Sequence, residues 1–224
     1  MMHEIQFFGI PLLYYLIALA FLLPRIPFIG KFFNIINTLI HEFGHALMAL
    51  ILQGQVIQIQ IFSDTSGVTL TKANNKFCAF MVSLAGYPFA ALAGFGCAFL
   101  LSVGYEKGII CGLSILFLFM LILWIRNIYG VIWTILFVGL NAFLLFYLKE
   151  ELYWQIAAWF YTLMVIIESV WSSFVLLYIS LRMPEKAGDA ANLHKFTRVP
   201  AVIWGLLFAV FSCWMAYLAG RLLL

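Results

Sequence analysis

Seven stretches of this 224-residue sequence run for about the length of a membrane span with almost no charge: roughly 5–23, 33–53, 77–102, 108–126, 128–148, 154–182 and 200–222. Only 9% of the residues are charged, against about 25% in a soluble domain. A water-facing surface cannot be built from so few charges, so most of the exterior must face lipid. Backbone in lipid has to satisfy its own hydrogen bonds, which a helix does within one segment. The expected fold is therefore an all-α polytopic membrane protein of about six to seven transmembrane helices. It forms a single integral membrane domain over 1–224, with the cell membrane as its expected location. Seven is the central count. The pair Arg126-Asn127 divides one long apolar stretch, either as a tight hairpin or as an interruption in re-entrant helices, and six is the alternative count.

The first apolar run is read as a retained helix rather than a signal peptide. It lacks a basic leader, having His3 and Glu4, and Pro24-Arg25-Ile26-Pro27 stands where a small-residue cleavage site would be expected. The formal charge of +3 is small, and no basic run is interleaved with aromatics. This excludes a nucleic-acid partner and leaves the Lys and Arg residues as anchors at the bilayer surface. Cys78, Cys97, Cys111 and Cys213 each lie in an apolar run and form no CxxC pair, so they are expected to be buried small hydrophobes.

Two polar stretches interrupt the pattern. In Gln53 to Lys76, Val56-Ile57-Gln58-Ile59-Gln60-Ile61 alternates with the period of a strand. Asp64-Thr65-Ser66-Gly67 supplies turn chemistry, and Val68-Thr69-Leu70-Thr71 supplies a returning strand. A short β-hairpin is thus expected directly after the second helix. The other stretch, Arg182 to Pro200, contains Gly188-Asp189-Ala190-Ala191-Asn192-Leu193-His194. Pro200 then opens the last helix, where proline is tolerated. Seven helices put both stretches on one side, together with Lys72, Lys76, Arg126, Arg182, Lys186, Lys195 and Arg198. That bias favours the cytoplasmic side.

The chemistry lies in His41-Glu42-Phe43-Gly44-His45. Residues at i and i+4 share a helix face with Cβ atoms about 5–6 Å apart. Two imidazoles so placed can converge on one Zn²⁺, with the glutamate after the first ligand available as general base. Ionisable groups in mid-membrane cost on the order of 2.5–3.5 kcal/mol each and by default signal function. Three of them within five residues need a shared compensation, and a metal provides one. Zinc with an open position needs a third protein ligand. No histidine follows in Ala46 to Gln53, and the next glutamate is Glu106, so the ligand spacings of soluble zinc peptidases fit poorly. The residues alone leave Asp189, Glu168, Asp64 and His194 open.

His41 to Leu47 (HEFGHAL) in a membrane helix resembles the M50B-like branch of the site-2 protease family of intramembrane zinc metalloproteases. So do a hairpin ending in Ser66-Gly67-Val68-Thr69, the run Ala85-Gly86-Tyr87-Pro88, and a late Gly188-Asp189-Ala190. The resemblance implies His41 and His45 as zinc ligands, Glu42 as base and Asp189 as third ligand. Around the aspartate this chain has Gly188-Asp189-Ala190-Ala191-Asn192-Leu193 rather than the family's better-known Asn-Pro-Asp-Gly. It also implies a membrane protein or peptide as substrate. The residues by themselves offer Asp189 another role, as N-cap of a short helix through Leu193. Glu168 can equally be a ligand, a partner of a ligand histidine, a proton carrier or a hydrogen-bonded structural residue. Ile57-Gln58-Ile59-Gln60-Ile61 suits an edge strand that pairs with an extended substrate, or a purely structural hairpin. Gly86 and Pro88 are expected to give a close helix approach and a kink.

Competing functions are a non-proteolytic metal-binding membrane protein, such as a transporter or sensor, and an inactive family scaffold. A multi-histidine hydroxylase or desaturase needs more ligands than this pair with the isolated His3 and His194. Oligomeric state is not legible in the sequence.

Overall fold

The computed structural model describes residues 5–7, 9–148 and 150–223; His3 lies outside them. Two short strands, β1 (Gln6–Phe7) and β2 (Ile10–Pro11), pair antiparallel ahead of α1 (Leu12–Leu22). Next come α2 (Ile29–Ile51), the hairpin strands β3 (Gln55–Ile61) and β4 (Gly67–Lys72), and α3 (Lys76–Ser102). The chain continues through α4 (Glu106–Leu123), α5 (Ile128–Phe146), α6 (Glu151–Arg182), α7 (Gly188–Thr197) and α8 (Ala201–Leu223).

Each of the seven apolar stretches contains a helix, but they do not make seven spans. Five helices, α3, α4, α5, α6 and α8, are long and apolar enough to cross a membrane. The first two helices act as one broken pair bent by 98°, which raises the count to six at most. The cause is local. Pro24 and Pro27 cannot continue a helix, and Pro24 sits in a 3₁₀ turn over Leu23–Arg25 that leaves α1 only 11 residues long. Asn34 of α2 donates through Nδ2 to the Pro24 carbonyl at 3.0 Å and pins the corner.

The Arg126-Asn127 break is a tight connection. The Arg126 guanidinium donates to the carbonyls of Leu121, Ile122, Leu123 and Ile125, satisfying acceptors that the end of α4 leaves open. This corner docks on the hairpin. Ile59 N–H donates to Trp124 O at 2.8 Å, and Arg126 N–H to Ile59 O at 3.3 Å. Asn127 then brackets Ile61, accepting from its N–H at 3.1 Å and donating to its carbonyl at 2.6 Å. The outer edge of β3 is therefore occupied, and β4 carries the other edge of the two-stranded sheet.

The interior is apolar around Ile35, Ile36, Leu39 and Ile40 of α2 and the ring cluster of Phe117, Trp133 and Phe137. One polar knot crosses it. Tyr161 OH donates to Asn141 Oδ1 at 2.9 Å, and Asn141 Nδ2 donates to Ser114 Oγ at 2.9 Å, tying α6, α5 and α4 together. A second cluster seats α7, where Ala190, Ala191 and Leu193 are buried with Leu176, Ala201 and Phe208. Burying Leu193 alone contributes about 1.5–3 kcal/mol, which fixes the rotation of a helix of only 10 residues.

All four cysteines are free, and Cys78 is buried, but Cys111 and Cys213 are exposed. Expecting burial from an apolar run was wrong there, because half of an apolar membrane helix faces lipid rather than protein.

Candidate metal centre

His41 and His45 lie on the face of α2 that meets α3 and α7. The close approach of α3 is made at Gly86: a Cβ there would stand 2.4 Å from His41 Cε1 and 2.6 Å from both Nε2 atoms. No residue larger than glycine fits beside this histidine pair. Sequence reasoning foresaw the close approach but not that its partners are the two imidazoles.

His45 Nδ1 lies 2.7 Å from the Val82 carbonyl of α3. A carbonyl only accepts, so Nδ1 carries the proton and the lone pair of neutral His45 is left on Nε2. That Nε2 lies 3.0 Å from His41 Nε2, and Asp189 Oδ2 lies 3.2 Å from each. Among the described residues, His41, His45 and Asp189 form the group of histidines and carboxylates that could hold a metal ion, with ligand atoms within 4.8 Å of one another. Ligands about 2.0–2.1 Å from a tetrahedral Zn²⁺ sit roughly 3.3 Å apart, so the spacing suits such an ion. Two imidazole nitrogens and one carboxylate oxygen are also a donor set that leaves a fourth position open.

Asp189 does not cap α7. It lies inside the first turn, the residue preceding the helix makes no side-chain cap, and the carboxylate turns to the histidines. Burial pushes its carboxyl group upward, but when the imidazoles are protonated toward it, the charge of His45 and hydrogen bonds from both rings hold it well below the usual carboxylate range.

The other candidate ligands are engaged elsewhere. Glu168 pairs with Arg25, whose guanidinium also lies 4.7 Å from the Phe21 ring and 4.6 Å from the Trp171 ring. Asp64 accepts from the Ser66 N–H at 3.0 Å and hydroxyl at 2.6 Å; these bonds hold its carboxyl below the usual range and mark it as a turn residue. His194 Nδ1 donates to Val199 O at 2.9 Å.

Glu42 is buried beside the hairpin. Thr69 Oγ1 donates to Glu42 Oε2 at 2.6 Å, and Thr38 Oγ1 donates to Thr65 O at 2.8 Å, so β4 and its turn are held against α2. Gly67 makes room for the carboxylate, since a Cβ there would lie 2.6 Å from Glu42 Oε1. Thr69 was visible as part of a strand, but its partner lies 27 residues earlier and no local pattern names it. His41, Glu42, His45, Asp189, Gly67, Thr69 and Tyr87 all line a cavity of about 650 Å³.

A family model described as peptidase M50B-like matches residues 12–219. The chain belongs to the peptidase M50B-like family. Searches of curated proteins and of solved structures gave no match. The M50B-like match runs from the start of α1 into α8 and takes in both α2 and α7, the elements that supply the three converging donors. Membership and five or more apolar helices make this chain an integral membrane protein of the site-2 protease-like family, built for a lipid bilayer.

Proposed function

We propose that this M50B-like protein is an intramembrane zinc metallopeptidase that hydrolyses a peptide bond in or near a transmembrane segment of a membrane protein, with the cell membrane as its setting. The observation that carries the reading is the meeting of His41 Nε2, His45 Nε2 and Asp189 Oδ2 beside a Glu42 that is buried yet lines the same cavity. Zinc, when bound, would polarise the scissile carbonyl and acidify a water. His41, His45 and Asp189 would hold it, with Val82 fixing the ring of His45. Glu42 accepts the proton of the attacking water and returns it to the leaving nitrogen. Thr69 keeps the carboxylate aimed by its hydrogen bond.

A helical peptide bond is shielded by its own turn, so the substrate must enter extended. β3 is a poor partner, because Trp124, Arg126 and Asn127 occupy its outer edge. β4 takes that role instead: Gly67, Val68, Thr69 and Thr71 line the cavity, and β3 lies on its far side. Main-chain pairing along β4 would lay the substrate past Glu42.

The test is cleavage of single-span model substrates by detergent-purified protein, wild type against Glu42→Gln. The expected result is cleavage by wild type only, with equal zinc in both. Full activity of Glu42→Gln would refute the assignment. Equal zinc with no cleavage by wild type would favour a non-proteolytic metal-binding protein.

A further inference from the structure

Eight hydroxyl side chains line the cavity, and four of them are committed. The Thr38 hydroxyl donates to Thr65 O, that of Thr69 to Glu42, that of Ser66 to Asp64 and that of Ser172 to Ser169 O. The hydroxyls of Thr65, Thr71, Ser83 and Tyr87 make no hydrogen bond to any described residue, and what sets Tyr87 apart from the other three is its ring contact with a histidine of the pair. Its ring is fixed from two sides. It meets the His41 imidazole edge-on, with centroids 4.6 Å apart, and stacks on Phe208 of α8 at 5.0 Å. It follows Gly86 directly, so the backbone approach that brings α3 onto the histidine pair also sets this ring.

A phenol held against a histidine of a candidate metal centre, with its donor uncommitted, is placed to meet a negative charge that arises during reaction. Peptide hydrolysis creates such a charge on the scissile carbonyl oxygen. Glu42, an acceptor that handles protons on the water, does not stabilise it, and Thr69 is spent on Glu42.

We infer that Tyr87 is a further catalytic residue, donating a hydrogen bond through its phenolic hydroxyl to the carbonyl oxygen of the scissile bond as that oxygen gains charge. The inference rests on the peptidase reading. Pre-set donors of this type cost no reorganisation when charge develops, and removing one typically lowers kcat about 10²–10³-fold. The phenol donates without losing its proton, so no group needs to reprotonate it.

Tyr87→Phe tests this, because it keeps the ring and both aromatic contacts and removes only the donor. The probe is a peptide phosphinate, whose tetrahedral oxyanion resembles the charged carbonyl and whose binding needs no turnover. Zinc per chain and thermal unfolding should match wild type, while phosphinate affinity falls at least about tenfold and kcat about 10²-fold with KM little changed. Phosphinate affinity within twofold of wild type would overturn the inference, as would failure of zinc-loaded wild type to bind the phosphinate. If wild type binds the phosphinate but cleaves no membrane substrate, the peptidase reading fails, and the Tyr87 donor is judged on the affinity ratio alone.

Discussion

Replacing Gly86 by alanine should damage the metal centre without unfolding the protein. The added Cβ would stand 2.4 Å from His41 Cε1 and 2.6 Å from His41 Nε2 and His45 Nε2. Carbon and nitrogen pack without overlap at about 3.5 Å, so one or both imidazoles must retreat by roughly 1 Å. His45 cannot rotate freely, because its Nδ1–H is held by Val82 at 2.7 Å, and α3 cannot back away easily beside Gly44, where Phe89 packs. Metal–ligand distances tolerate about ±0.2 Å, and smaller disturbances to ligand-orienting groups already cost 10–100-fold in affinity. The expected loss of zinc affinity is about 100-fold, or roughly 2.8 kcal/mol. A chelator competition titration on the purified variant measures it, with thermal unfolding of the metal-free protein as control. Wild-type zinc affinity in Gly86→Ala would refute the reasoning, because the histidine pair would then not be confined by α3.

Thr69→Val removes the donor to Glu42 while keeping the side chain's shape; kcat should fall about tenfold with zinc unchanged, and Thr69→Ser should recover much of it, as read in the cleavage assay. Glu168→Ala leaves Arg25 without its carboxylate, an effect worth roughly 3 kcal/mol for a buried pair. Its unfolding temperature in detergent should drop while zinc per chain stays at the wild-type level, and loss of zinc would show that Glu168 belongs to the metal centre after all. Asn141→Leu breaks both bonds of the knot joining α4, α5 and α6 and should cost about 1–2 kcal/mol in thermal stability, with zinc again unaffected.

Residue spacing made much of this fold legible. Apolar runs located seven helices, and period-two alternation located the hairpin. The central count of seven spans gave way to at most six, the alternative count, because the runs do not report bends: Pro24 and Pro27 stand at the corner that turns two expected spans into one bent pair. The histidine pair was legible because its two members are four residues apart on one helix. Asp189 was not legible from the residues alone, because its place beside His41 depends on α7 docking through Ala190, Ala191 and Leu193 onto α6 and α8. For the same reason Glu168 stayed open as a ligand: its actual partner, Arg25, lies 143 residues away. The role of β3 stayed open between a pairing edge and a structural hairpin because nothing in β3 itself reveals that the α4–α5 corner covers its outer edge.

The central claim is that His41, His45 and Asp189 hold one zinc ion. Zinc per chain in detergent-purified wild type, His45→Ala, Asp189→Ala and Glu168→Ala tests it most directly. Near-stoichiometric zinc in wild type and Glu168→Ala, lost in His45→Ala and lowered in Asp189→Ala, is the expected result. A wild type that takes up no zinc even when purified with added metal would contradict it and leave an inactive scaffold as the better description.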